Sequence, residues 1–172
     1  MPASVTQPRP LLHIVLHEPE IPNNTGNIGR TAIVLGCALH LIEPLGFDVS
    51  EKACRRAGLD YWPRLGVKQH ANWDAFINSE SPPRLWFFSA HATRSVFDAD
   101  LCRGDYLIFG KETAGLPPQL LERHADRCLR FPMIASERGL NLATAVCAAA
   151  YEGVRQMTAR GELSIRDGII QA

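Results

Sequence analysis

The chain has 172 residues, 46% of them apolar and 21% charged, a length and balance that fit one soluble globular domain with a substantial core. Its 18 basic and 18 acidic side chains cancel, so no global charge draws it to nucleic acid or to a membrane surface, and any polyanion site must be a local patch. Cys37, Cys54, Cys102, Cys128 and Cys147 are scattered without a CxxC pair, which argues against a disulfide framework or a zinc site and fits a reduced, cytoplasmic protein. No stretch reaches membrane-spanning length.

Residues 1–10 carry three prolines and little apolar content, and are expected to lead in without order to one domain over 11–160, with a tail over 161–172. Leu11–Leu16 reads as a buried strand bounded by prolines. Thr25 is placed to cap a helix from Gly26 to Cys37, with Gly36 near its end. Leu39–Ile42 is the next strand, and Ser50 starts a short basic helix running to Ala57. A helix over Asn72–Asn78 precedes a strand at Leu85–Ser89. A strand at Tyr106–Phe109 follows, then a helix with Pro117 in its first turn, then a strand at Leu129–Phe131. The final helix runs from Asn141 to Arg160 and stops at Gly161. Strands alternating with helices predict an α/β fold on a parallel sheet, with ligands gathered at the carboxyl ends of the strands.

Three polar, glycine-bearing loops each follow a predicted strand: Glu18–Arg30, Phe109–Pro117, and the segment after Phe131 that ends in Arg138-Gly-Leu-Asn141. Together they read as one composite site. In the second loop Gly110 lets backbone approach a ligand, Gly115 can take positive φ, and Glu112 offers a carboxylate to a hydroxyl or a cation. Arg30 stands in a small, apolar helix, where it serves a site or snorkels to solvent, and Asn24 lies on the loop before it.

Several chemistries fail on spacing. His13 and His17 are four residues apart, but on a strand that separates them by roughly 13 Å, too far for one ion. Gly104–Lys111 has the wrong glycine spacing for a phosphate-binding loop, with Glu112 where a Ser or Thr is required. No GxGxxG or GxSxG follows a strand. The basic stretch holding Arg55, Arg56, Arg64 and Lys68, interleaved with Tyr61 and Trp62, has two readings. It contacts phosphate and stacks bases, or it is a solvated face anchored by two core aromatics.

Five motifs in order, EPEIPNNTGNIGR (18–30), HLIEPLGF (40–47), RRAGLDYW (55–62), GDYLIFGKETAGLP (104–117), and FPM with RGLNLATAV (131–146), resemble the SPOUT class of S-adenosylmethionine-dependent RNA methyltransferases, in its TrmL (YibK-like) branch. The resemblance covers about Leu11 to Gln156. It implies an α/β fold with a C-terminal trefoil knot, an antiparallel homodimer, and S-adenosyl-L-methionine bound by Phe88, Gly110, Glu112, Gly115, Phe131, Met133, Gly139 and Leu140. Arg30 then matches the catalytic arginine, Asn24 its motif partner, and Asn141 the asparagine of the knot loop. The implied reaction is 2′-O-methylation of the wobble nucleotide, C or U at position 34, in the anticodon stem-loop of tRNA, leucine tRNAs among them, with no metal. Another tRNA or rRNA ribose, or a non-catalytic knotted binding module, are the alternatives. One departure is Gly139, where the family usually has serine, and another is Ala143; use of backbone groups at 139 would make the glycine harmless. Small residues along the last helix, among them Ala148, Ala149 and Ala150, suggest a dimer contact with Tyr151 near it.

Overall fold

The computed structural model describes residues 9–56 and 58–171, Glu51 and Arg55 by backbone only. Of the expected lead-in, only Arg9 and Pro10 fall within it. Strands β1 (His13–His17), β2 (Ala38–Ile42), β3 (Lys68–His70), β4 (Leu85–Phe88), β5 (Arg94–Ser95), β6 (Tyr106–Phe109) and β7 (Cys128–Arg130) form one sheet in the order β3-β2-β1-β6-β4-β7-β5. Every pairing in it is parallel. The central strands are largely apolar because both faces are covered, with buried His17 and His40 as exceptions. Ile14, Leu16, Leu39, Leu41, Leu107 and Phe109 point into one core, beneath α1 (Pro22–Leu35) and α6 (Leu142–Ala159). Val15, Ile42, Phe87 and Ile108 alternate into a second core, with Phe76 of α4 (Trp73–Glu80).

Helix α1 begins four residues before the predicted start. Pro22 stands at the first position, where its missing N–H costs nothing, and Thr25 is buried inside the helix instead of capping it. Gly36 ends it at φ 67°. Short helices α2 (Glu51–Arg56) and α3 (Trp62–Leu65) follow β2. The Ser50 hydroxyl accepts from the Ala53 N–H at the start of α2, as its position predicts. Tyr61 and Trp62 are 1% and 8% exposed, so both rings anchor this segment to the core and neither is available to stack a base. They pack on glycine: a Cβ at Gly29 would lie 3.1 Å from both Trp62 and Leu65.

Asn72 caps α4 by accepting from the Ala75 N–H at 2.8 Å, and α5 (Pro118–Arg123) begins just after Pro117. Helix α6 keeps its predicted bounds within a residue, but its alanines answer chiefly to the chain's own core. Ala149 and Ala150 are fully buried, and a Cβ at Gly153 would stand 2.9 Å from Leu12. Tyr151 is half exposed and Val34 of α1 62% exposed, so an apolar outer surface remains on these two helices. Across the expected tail, Ser164–Arg166 (β8) and Ile169–Gln171 (β9) form an antiparallel hairpin. Its turn is Asp167-Gly168, both at positive φ, the geometry that Asp-Gly favours.

Candidate active site

From β1 the chain runs outward to β2 and β3, then crosses back, so the strand order reverses between β1 and β6. Parallel sheets leave a crevice at such a reversal, at the carboxyl ends of the strands. A cleft of about 500 Å³ opens there, within the range of small-molecule sites. Its floor is aromatic. Phe88 at the end of β4 stacks on Phe109 at the end of β6, with ring centroids 4.5 Å apart, and Phe131 lies 5.8 Å from Phe88.

The wall after β6 is a tight loop. The Gly115 N–H donates to the Lys111 carbonyl at 2.8 Å, and Gly115 sits at φ 70°. A Cβ on Gly110 would stand 2.0 Å from the Gly115 carbonyl carbon and 2.2 Å from the Leu116 nitrogen. The bare Cα of Gly110 therefore makes room for its own loop, where the sequence suggested room for a ligand. At Gly139 the reverse holds: a Cβ would meet only the Ala90 side chain, at an ordinary 3.7 Å, so serine would fit.

Glu112 ties the loops together. One carboxylate oxygen accepts from the Glu20 N–H at 2.8 Å, the other from the Ile21 N–H at 3.2 Å and from Asn24 Nδ2 at 3.0 Å. The carboxylate thus holds the N–H groups of the two residues that lead into α1, close to the positive dipole end of that helix, which has no side-chain cap of its own. Asn141 Nδ2 donates to Asn24 Oδ1 at 3.0 Å, while Asn141 Oδ1 accepts from the Ala143 and Thr144 N–H groups and caps α6. The line Glu112–Asn24–Asn141 thus joins the starts of both long helices to the glycine loop, although its members lie 88 and 117 residues apart. The brace is doubled alongside. Lys111 donates to Glu18 at 2.6 Å, which holds its ammonium above the usual lysine range. The Thr113 hydroxyl and N–H donate to the Glu20 carboxylate, which they hold below its usual range. Lys111 is engaged in this way, and Arg130 brings a second cation to the cleft lining.

Phe88, Gly110, Glu112, Gly115, Phe131, Met133, Gly139 and Leu140 all line the cleft, and Asn24 and Asn141 join them. Arg30 does not. It lies six residues beyond Asn24, about 9 Å along the helix and turned away by a third of a turn. Its guanidinium covers the Tyr61 ring at 4.2 Å, 3.7 Å from the Asp60 carboxylate, with 59% of the side chain exposed. Arg56 and Arg64 are exposed outside the cleft. The Lys68 ammonium is taken up by Glu80 at 2.9 Å, and the Arg55 side chain lies outside the described residues. Sequence reasoning missed Lys111 and Thr113 as braces, and Ala90 and His91 on the rim. Only the last two carried a signal, their place just after a predicted strand.

The model of the SpoU rRNA methylase family matches residues 11–151. The tRNA (cytidine(34)-2′-O)-methyltransferase of Saccharophagus degradans is 50% identical over 148 residues, 86% of this chain and 96% of the relative. The Escherichia coli K12 protein of the same name is 44% identical, over 86% and 94%. A structure described as giving insights into 2-OH methylation of C/U34 on tRNA superposes with a TM-score of 0.79 at 49% identity, covering 87% of this chain and 97% of that one. The SpoU methyltransferase AviRb of Streptomyces viridochromogenes, in complex with AdoMet, superposes with a TM-score of 0.72 at 25% identity, over 89% of this chain and 60% of that one.

Proposed function

This chain belongs to the SpoU rRNA methylase family, and from that membership and the geometry of the cleft we propose that it is a tRNA 2′-O-ribose methyltransferase, acting at cytidine or uridine 34 with S-adenosyl-L-methionine as donor. The carrying observation is the cleft itself. Three loops at the carboxyl ends of parallel strands are locked by Glu112, Asn24 and Asn141 around an aromatic floor. Its walls offer backbone groups at Gly110–Gly115 and Phe131–Leu140 with an apolar base, a donor set that suits an adenosine and a short amino-acid chain better than polyphosphate. The residues present therefore fit the cofactor.

When bound, S-adenosylmethionine supplies a methyl group already activated on a sulfonium, so the transfer requires no metal and no covalent enzyme intermediate. The chain's contribution is to hold and align, an effect worth up to about 7–11 kcal/mol. The stacked Phe88 and Phe109 and the loops around Gly110 and Gly139 shape the cofactor's seat. Glu112, Asn24 and Asn141 act as positioning residues, because their polar atoms are spent on one another and on helix starts. The Arg30 guanidinium offers hydrogen-bond donors and no acceptor, so its role is to grip the phosphate beside the target ribose and stabilise developing negative charge.

Arg30 projects away from the cleft of its own chain, which supports a homodimer that combines surfaces of two chains, formed through the exposed apolar sides of α1 and α6. The exposed Arg56 and Arg64 provide the local basic patch for the anticodon stem-loop that a neutral chain requires. We assign the trefoil knot to the segment between β7 and α6, and place the protein in the cytoplasm with its tRNA substrate. The experiment is nucleoside mass spectrometry of tRNA methylated in vitro. Wild type is expected to yield 2′-O-methylated nucleoside at position 34. Arg30→Ala is expected to abolish it while leaving S-adenosylhomocysteine affinity within about twofold. Methylation at another position, or full turnover by Arg30→Ala, would overturn this reading.

A further inference from the structure

Against Phe76 and Tyr106 of the second core, and outside the set of residues that line the cleft, three histidines form a hydrogen-bonded chain. His13 Nδ1 lies 2.9 Å from His40 Nε2, His40 Nδ1 lies 3.1 Å from His70 Nε2, and His70 Nδ1 lies 3.2 Å from the Ser79 hydroxyl. The chain has a direction. Ser79 donates to the Phe76 carbonyl at 3.2 Å, so its oxygen is left to accept from His70. His70 then carries its proton on Nδ1 and presents a lone pair on Nε2, which takes the proton of His40 Nδ1. His40 Nε2 is thereby left with a lone pair, aimed at His13 from a ring that is fully buried. The His13 ring is held in turn by stacking on Tyr106 at 4.0 Å. Glu80, at the end of α4, completes the group: one atom each of His13, His40 and Glu80 lie within 4.8 Å of one another.

We propose that His13, His40 and Glu80 form a binding site for a late first-row divalent cation such as zinc, a staple joining β1, β2 and α4. Two imidazoles and a carboxylate are the donor set such ions favour, and they leave a fourth tetrahedral position to water. Ligand atoms around a tetrahedral zinc stand about 3.3 Å apart. The 2.9 Å between the imidazole nitrogens therefore needs to open by about 0.4 Å, and the Glu80 oxygen, within 4.8 Å of the other two ligand atoms, to close by up to about 1.5 Å. The relay through His70 and Ser79 does for His40 what outer hydrogen bonds do for metal-bound histidines generally: it fixes the tautomer and the ring plane. Lys68 lies on the same Glu80 carboxylate at 2.9 and 3.1 Å, a cation that competes for the site from a half-exposed position. Methyl transfer does not use this site.

The test titrates the chelator-stripped protein with cobalt(II), followed by visible absorption, and with zinc, followed by calorimetry. Expected is one equivalent of tightly bound ion, with weak ligand-field bands and no intense thiolate charge transfer, and a melting temperature raised by zinc. His13→Gln and Glu80→Gln should each weaken binding tenfold or more, with unchanged circular dichroism. Lys68→Met should tighten it by removing the competing ammonium. Absence of micromolar binding, a thiolate band pointing to the cysteines, or wild-type affinity in both glutamine variants would overturn the site. A Lys68→Met protein that binds no more tightly would count equally against it.

Discussion

Replacing Glu112 by alanine separates two roles for this residue. The resemblance makes it a cofactor contact, whereas the structure spends both its oxygens on Glu20, Ile21 and Asn24. Three hydrogen bonds to a charged acceptor are worth about 1.5–3 kcal/mol each when fully buried, and a helix cap about 1 kcal/mol. Glu112 is only half-buried and its bond to Ile21 is exposed, which discounts each bond to about 0.5–1 kcal/mol, so the expected loss with the cap is about 2–4 kcal/mol in all. For a domain of this size that lowers the melting temperature by roughly 5–12 °C. Asn24 loses its partner, Asn141 loses the fixed orientation of Asn24, and the start of α1 loosens. Turnover should therefore fall by about tenfold or more even with saturating S-adenosylmethionine. Glu112→Gln, which keeps one acceptor oxygen, should fall between. Urea denaturation, S-adenosylhomocysteine calorimetry and single-turnover methylation read the three effects apart. A Glu112→Ala protein of wild-type stability that has lost only cofactor affinity would refute the positioning role and restore direct contact.

Other expected outcomes follow from single distances and burials. Gly110→Ala forces a Cβ to within 2.0 Å of Gly115 backbone and should abolish S-adenosylhomocysteine binding, whereas Gly139→Ser should leave affinity within about twofold; both are read by calorimetry. Ala149→Arg buries an unpaired charge and should fail to fold, while Tyr151→Arg, on the outer surface, should fold but sediment as a 19.0 kDa monomer if α1 and α6 form the dimer contact. Burial pushes the His13 ring down to about 4 and the His40 ring down to about 3, so below pH 6.5 the unfolded chain binds protons that the native chain refuses. Stability of the metal-free protein should then decline on acidification from pH 6.5 to 5 by about 1.5 kcal/mol per ring, before most carboxylates titrate. Urea midpoints across that window check it, and a flat profile would refute it.

What the sequence reveals and conceals here depends on where each interaction closes. Strands β1, β2, β4 and β6 are legible because burial on both faces makes them predominantly apolar, and Asn72 and Gly36 act on their own helices. β3 reads Lys-Gln-His and β5 is two residues long, so neither has a pattern to find. The start of α1 carries no side-chain cap of its own and is steadied by Glu112, some 90 residues downstream, so a local search settles on Thr25. The same distance hides the working role of Glu112 and Asn141: as residue types they advertise chemistry, and only the fold shows their atoms already committed. The histidines make the point most sharply. Along its own strand the nearest histidine to His13 is His17, and strand spacing sets the two roughly 13 Å apart. Its true neighbour is His40, brought beside it by the parallel register that sets His13 against Ala38, so that a side chain two residues on shares its face. Pairing register is a property of two strands and of everything packed on them, and no spacing within either strand contains it.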